Sequence, residues 1–550
     1  MKSLSYFGNK LQHLCNSVYS NLVCFVRSTC FLISCFYKFI LLRVHKFFVQ
    51  LFYFIFISLI GFWILRILKS RSTSGDFAPR NLDLYFTSVS AVTVSSMSTV
   101  EMEVFSNSQL ILITFLMLIG GEVFTSMVGL HLIRPKFKPW RKDSKIESVI
   151  SSATTSPRNT NFNDDIELNI VVIPDSPKSN LEKDEFDQDD FGSSSDTQTL
   201  KYISIKFLGV VVLVYFLVMH ILGISSVLVY LACVSSTKDV LRNKGLKTST
   251  FAIFTVVSTF ASCGFVPTNE NMAAFSKNSG LLLILIPSIL FGNTLYPACL
   301  RVSVWFVGKF FKKREAKFLL KNSREIGHLH LFPGLSSRFL VVTVFGFISL
   351  QLFLFCTYEW NSDTLNGLNS YQKIVGSFYQ VVNTRHAGES VVDISAIDPA
   401  VLVVLMAMMY LPPYTTFLPV KGVEEYREDL PGKKKERGKL AENVIFSQLS
   451  YIVIFIILIC ITERKSLKAD PLNFNVFNIA FEVISAYGNV GFSKGYSCDR
   501  LINPNPTCKN KSYGFAGRWS DEGKMVLIVV MIFGRLKRFN MEWGKAWKLK

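Results

Sequence analysis

The sequence predicts an all-α integral membrane fold, in which four pseudo-symmetric span–pore-loop–span units surround one pore with eight transmembrane helices and four re-entrant half-helices. Three observations predict it. Of the 550 residues, 50% are hydrophobic and 49 are Phe, more apolar surface than one soluble core can bury. Runs of about 20 apolar residues, enough to cross a hydrocarbon core of about 30 Å, recur along the chain. "FFVQLFYFIFISLIGFWIL" (Phe47 to Leu65) and "LGVVVLVYFLVMHILGISSVLVYLACV" (Leu208 to Val234) are examples. Between paired runs lies a shorter, hydroxyl-rich segment ending in a polar turn, such as "TVSSMSTVEME" (Thr93 to Glu103). A re-entrant half-helix and its descending loop have that form.

In chain order, residues 1–46 mix Phe, Leu and Cys with Arg27, Lys38, Arg43 and Lys46. That composition suits a cytoplasmic extension forming an interfacial basic helix or a ninth span. A cleaved signal peptide is disfavoured, because the apolar region runs on without a small-residue cleavage site. Unit A, 47–134, has spans at 47–68 and 109–133. Residues 135–200 form a polar, acidic and Ser-rich insert, expected to be disordered in the cytosol. Unit B, 201–325, has spans at 202–234 and 279–308, and unit C, 326–420, at 338–358 and 398–418. A charged cytoplasmic linker, 421–443, precedes unit D, 444–550, with spans at 444–462 and 523–538. The net charge of +19 lies beside the spans rather than in one aromatic-interleaved patch. Lipid head groups and orientation account for it, and nucleic acid is not an expected partner. The basic runs Lys309 to Lys317 and Pro431 to Lys439 read as cytoplasmic, whereas "RILKSR" (Arg66 to Arg71) must then face outward.

Aligning the short segments without gaps sets Ser96 against Gly264, Gly388 and Gly491. A phenylalanine then falls ten positions earlier in every unit (Phe86, Phe254, Phe378, Phe481), and a β-branched residue seven earlier (Val89, Val257, Val381, Ile484). Two matching columns and one span order indicate an internal fourfold duplication. Around one axis, such units bring four loops to the centre, where irregular backbone survives only if buried in protein or wetted. Inward-facing carbonyls replace an ion's hydration shell, and each half-helix aims about half a negative charge at the centre. The expected cargo is a cation. No CxxC, HExxH, P-loop or GxSxG pattern occurs, so neither an enzyme nor a cofactor is expected.

The stretches "TSVSAVTVSSMSTVEMEVFSN", "STFASCGFVPTNENM", "VVNTRHAGE", "MMYLPPYT", "SAYGNVGFSKGYSC" and "SYGFAGRWS" closely resemble the plant high-affinity potassium transporter (HKT) group of the Trk/Ktr/HKT cation transporters. The likeness runs from about Phe47 to the C-terminus, excluding the inserts. It implies a plasma-membrane protein with both termini cytoplasmic, forming a homodimer with one pore per subunit. It also implies a filter glycine in each loop, at the positions of Ser96, Gly264, Gly388 and Gly491, flanked by Val94, Ser95, Ser262, Cys263, His386, Ala387, Asn489 and Val490. Serine in the first loop resembles the sodium-selective branch, whereas glycine in all four goes with potassium permeation. Physically, glycine reaches angles that let carbonyls face an ion and leaves room for a wider cage, whereas a serine narrows or reshapes the ring. Tenfold selectivity is only about 1.4 kcal/mol, so one altered position suffices in magnitude.

Other residues fit two roles each. Glu122, inside "LMLIGGEVFTSMVGL", is costly at mid-span unless paired or wetted; it serves either an inter-helix ion pair or conduction. Arg535 is, by the resemblance, a cationic barrier beside the pore below the filter; its alternative is snorkelling to the interface with Lys537 and Arg538. Glu270 and Asn271 attract cations at an outer mouth or solvate a loop. His386 is a filter wall or, with Arg385, a structural support. "YLPPY" (Tyr410 to Tyr414) is a gating kink or a plain helix break. Cys498 and Cys508 share a polar loop with the acceptor Asn510-Lys511-Ser512, which fits an extracellular disulfide and glycan or two free thiols and an unused acceptor. The leading expectation is channel-like Na+ uniport. The alternatives are a K+-permeable or Na+/K+ coupled transporter of the same fold, and a receptor or scaffold with a dead pore, against which the three loop glycines argue.

Overall fold

The computed structural model describes residues 46–71, 79–134, 194–326, 328–385, 387–415, 448–501 and 514–540. Their regular elements are all helical. Unit A comprises α1 (Lys46–Ile67), the pore helix α2 (Asn81–Val92), and α3 (Asn107–Gly120) followed by α4 (Glu122–Ile133). Unit B comprises α5 (Ser194–Cys233), a short α6 (Ser235–Asn243), the pore helix α7 (Thr248–Ala261), and α8 (Ser279–Gly292) followed by α9 (Tyr296–Phe310). The short helices α10 (Arg314–Lys321) and α11 (Ser323–Ile326) lead to unit C: α12 (Gly334–Glu359), the pore helix α13 (Ser370–Asn383) and α14 (Pro399–Tyr410). Unit D comprises α15 (Gln448–Thr462), α16 (Arg464–Ala469), the pore helix α17 (Val476–Gly488) and α18 (Asp521–Asn540).

The first helix of each unit is apolar all round, so α1 leaves Phe52, Phe56 and Ile67 at 66%, 63% and 76% exposure, a surface that only lipid would cover. The pore helices are shorter, at 12, 14, 14 and 13 residues, or about 18–21 Å at 1.5 Å per residue, roughly two-thirds of a hydrocarbon core. Their starts are fixed locally: Asn369 and Gln372 form a capping box on α13, and the Asn475 side chain accepts from Asn478 N on α17. The duplicated columns point inward. Phe86, Phe254, Phe481, Val89, Val257 and Val381 are buried, while Phe378 and Ile484 are half-buried against the same core.

Two expected second spans prove to be broken. The stretch 109–133 is α3 and α4 bent by 55°, and 279–308 is α8 and α9 bent by 83°. In unit C the inner helix stops at Tyr410, before Pro412 and Pro413. Only α18 runs on, for 20 residues. Three described helices are each long and apolar enough to cross a bilayer, and five spans result if each bent pair counts as one. The breaks follow a packing rule. A Cβ on Gly120 would lie 2.1 Å from the Val92 carbonyl oxygen, one on Gly292 2.0 Å from that of Phe260, and one on Gly534 2.1 Å from that of Tyr487. Each of these inner helices therefore meets the C-terminal end of its own pore helix at a glycine. Where Gly121 or Asn293 follows, the helix ends; where Arg535 follows, it continues.

Outer and inner helices are also joined at their filter-side ends. Gln109 Nε2 donates to the Leu65 and Leu68 carbonyls at 3.1 and 3.0 Å, Glu359 accepts from Asp398 N at 2.7 Å, and Glu463 accepts from Ser520 N at 2.8 Å. The expected insert of 135–200 is helical from Ser194 onward, as the start of α5. Its remainder, the N-terminal extension before residue 46 and the 421–443 linker lie outside the described residues.

Candidate functional site

In units A, B and D the pore helix is followed by a residue that turns the chain back. Val94, Ser262 and Asn489 take left-handed φ of 51°, 58° and 50°, and two residues later Ser96, Gly264, Gly388 and Gly491 take φ of 43°, 92°, 60° and 98°. His386, the unit C counterpart of the first set, lies outside the described residues. A left-handed residue with a side chain costs roughly 1–2 kcal/mol, and such strain collects where a ligand is gripped. The turn is held by its own helix: Ser95 N donates to Ser90 O at 2.9 Å, Cys263 N to Ser258 O at 2.8 Å, Val490 N to Ser485 O at 3.0 Å, and Gly388 N to Asn383 O at 3.3 Å. In units B and D the serine hydroxyl also accepts from the filter glycine, Gly264 N to Ser258 Oγ at 3.0 Å and Gly491 N to Ser485 Oγ at 3.1 Å. The equivalent Ser90 Oγ in unit A has no partner among the described residues.

The four turns close into a ring. A Cβ on Gly264 would sit 1.2 Å from the Ala387 carbonyl oxygen and 3.0 Å from Ser96 Oγ. On Gly388 it would sit 2.2 Å from the Val490 carbonyl oxygen, and on Gly491 1.6 Å from Ser96 Oγ and 2.7 Å from the Ser95 carbonyl oxygen. Loop A thus touches B and D, B touches C, and C touches D. At three corners the approach needs a residue without a side chain. At the fourth, the Ser96 side chain fills the space over Gly491, and its hydroxyl lies 3.4 Å from the Val490 carbonyl oxygen as donor. Val94, Ser95, Ser262, Cys263, Ala387, Asn489 and Val490 are all buried around this ring.

Buried polar side chains hold the loops from behind. Glu389 Oε1 accepts from Thr259 Oγ1 at 2.9 Å, and its other oxygen accepts from Tyr379 OH. Gln380 Oε1 accepts from Val391 N at 3.0 Å, and Glu482 accepts from Ser493 Oγ at 2.8 Å. Sequence reasoning passed over Glu389, Glu482, Gln380 and Tyr379. Their signal was a carboxylate or amide inside an apolar, hydroxyl-rich half-helix or directly after a filter glycine, as in "RHAGES".

Lys244 Nζ lies 2.7 Å from Glu103 and 2.5 Å from Glu270. Burial pushes the Glu270 carboxyl up, but the Lys244 hydrogen bond and charge outweigh it and hold it below the ordinary value. Burial pulls the Lys244 ammonium down, and Glu103 and Glu270 more than restore it. Glu270 is therefore a paired group. Asn271, at φ 56°, accepts through Oδ1 from Met272 N at 2.8 Å and from Ser390 N of loop C at 3.3 Å; it braces one loop against another.

Arg535 is fully buried. Its Nη2 donates to the Gly120 carbonyl at 2.5 Å, and its guanidinium lies 6.0 Å from the Phe54 ring. A cation at the C-terminal end of the broken α3 answers a carbonyl that the bend releases. Glu122, the first residue of α4, accepts from Tyr414 OH at 2.8 Å and pairs with His330 Nε2 at 3.1 Å. Tyr414 follows the two prolines of "YLPPY", so that break carries a contact to unit A. Cys498 is disulfide-bonded; its expected partner Cys508 and the acceptor Asn510 lie outside the described residues.

Residues 192–541 match the family described as TrkH, cation transport protein. The chain is 47% identical over 503 residues to the "Cation transporter HKT1;3" of Oryza sativa subsp. japonica, covering 92% of this chain and 91% of that protein. It is 46% identical over 489 residues to the "Sodium transporter HKT1" of Arabidopsis thaliana, covering 88% and 91%, and 36% identical over 540 residues to the rice "Cation transporter HKT2;4", covering 97% of each. The solved potassium transporter TrkH from Vibrio parahaemolyticus aligns with a TM-score of 0.47 and 15% identity, over 90% of this chain and 84% of that one.

Proposed function

Because the chain belongs to the TrkH family of cation transport proteins, in its plant HKT group, we propose that it is a sodium-selective, channel-like uniporter of the plasma membrane. That it is a multi-pass membrane transporter of monovalent cations, and not an enzyme, follows from membership. The finer reading rests on one observation: a closed ring of four left-handed turns in which three corners are glycine and one is Ser96. Its carbonyls would replace the water around a partly dehydrated ion, with the pore-helix C-termini supplying negative potential. The Ser96 hydroxyl occupies space over Gly491 and engages the Val490 carbonyl, which leaves less room for the larger ion. Sodium then moves down its gradient under a membrane potential worth about 2.3 kcal/mol per 100 mV. Arg535, buried beneath the ring, would set an electrostatic barrier to each passing cation. The proposal includes cytoplasmic termini and a homodimer with one pore per subunit.

The test is tracer uptake in cells lacking their own cation transporters. Sodium uptake that excess potassium does not inhibit supports the reading. Potassium uptake of similar size, or sodium uptake that requires potassium, replaces it with the potassium-permeable or coupled alternative.

A further inference from the structure

Asn489 occupies the place that Val94 and Ser262 fill in units A and B, at the left-handed turn two residues before the filter position. It alone of these three carries an amide, and it is fully buried. Its Nδ2 donates to Ser95 Oγ at 2.6 Å, to the Met531 carbonyl at 3.0 Å and, less closely, to the Ala486 carbonyl at 3.4 Å. Two of those partners are carbonyls, which only accept, so the NH2 group and not the amide oxygen must face this way. Ser95 Oγ is also 2.8 Å from Thr93 Oγ1. A continuous chain of bonds therefore runs from the end of pore helix α2 through Ser95 to loop D and on to the inner helix α18. Ser96, the next residue after Ser95, reaches the Val490 carbonyl, the next residue after Asn489. The same two loops are thus joined twice, on consecutive residues.

We propose that Asn489 is a specificity-positioning residue: by clamping Ser95 it fixes where the Ser96 side chain stands over Gly491, and so how much room the ring leaves for an ion. This rests on the reading of Ser96 as the selective corner. Without the clamp, loop A is free to move away from loop D, the Val490 carbonyl loses its hydroxyl neighbour, and discrimination between the smaller and larger ion falls.

The experiment measures sodium-to-potassium permeability ratios from reversal potentials of the full-length protein, for the parent, Ser95→Ala, Asn489→Gly and the double variant. Glycine is chosen at 489 because the left-handed φ would strain alanine. Ser95→Ala should lower the ratio by roughly three- to tenfold, the worth of about one hydrogen bond, Asn489→Gly, which also frees the Met531 and Ala486 carbonyls, by at least as much, and the double variant should fall no further than Asn489→Gly, since both single variants remove the Ser95–Asn489 contact. Should Asn489→Gly fail to reach the membrane, Ser95→Ala, which loses a single oxygen, still decides. An unchanged ratio in Ser95→Ala, or effects that add in the double variant, overturns the clamp. A general role in folding would lower current and leave the ratio alone, which also overturns it. A parent that prefers potassium overturns the sodium reading instead, and is recognised in the same records before any variant is compared.

Discussion

Gly264 has φ 92° and no space, since a Cβ would lie 1.2 Å from the Ala387 carbonyl oxygen. Gly264→Ala should therefore abolish cation current, through strain and collision together. Gly376, in pore helix α13, gives the contrast: its Cβ would meet only Val391 Cγ1, at an ordinary 3.6 Å. Gly376→Ala should keep the current and raise stability by up to about 1 kcal/mol, the helix preference of alanine. Current recordings and thermal unfolding in detergent check both. The four left-handed turn positions were legible in sequence because duplication repeats a spacing, and Phe86, Phe254, Phe378 and Phe481 stand ten residues before each. Which neighbours press on them was not legible, because the Ala387 and Val490 carbonyls belong to other units.

The inner helices carry the second lesson. "LIGGEV" reads as one apolar run, since glycine pairs are tolerated inside membrane helices; the 55° break between α3 and α4 comes from the pore helix that Gly120 must approach. That break puts Glu122 at a helix start and its partners, His330 and Tyr414, 208 and 292 positions away in sequence, a separation that no local pattern encodes. Tyr414→Phe removes a hydroxyl that donates to the buried Glu122 carboxyl, and should cost about 1–3 kcal/mol, the penalty for leaving a buried polar group without its partner. A lowered unfolding midpoint shows it; an unchanged one assigns the contact no weight. Arg535 lies on the one inner helix that does not break. Replacing it by Met should raise cation current while lowering stability by about 1–3 kcal/mol, because the Gly120 carbonyl loses its donor. Loss of stability without a gain in current would leave it a cap and no barrier.

Across the whole molecule, loops from different units are held together at the mouth by Lys244 between Glu103 and Glu270. With Glu270 held below its ordinary value and Lys244 above its own, the contribution is present at neutral pH. It is lost as pH falls through the depressed carboxyl value, or as pH rises through the elevated ammonium value. The difference in unfolding midpoint between the parent and Lys244→Met should thus vanish on strong acidification. At neutral pH Lys244→Met also bares two carboxylates, so the sodium concentration giving half-maximal current should fall, and less so at high ionic strength. This pairing joins segments of units A and B, so Glu270 read alone fitted either an attractor or a loop residue. The helical class and the membrane setting were legible from apolar runs, because lipid imposes length and polarity on each segment separately. Closure of the four loops depends on contacts between segments. Its most direct test is the zero-current potential of the full-length protein and of Ser96→Gly, in baths where the sodium and potassium gradients oppose each other. The account predicts that the parent follows the sodium gradient and that Ser96→Gly shifts toward potassium by a permeability change of roughly tenfold, about 1.4 kcal/mol. A parent that follows potassium, or a Ser96→Gly potential identical to the parent's, contradicts it.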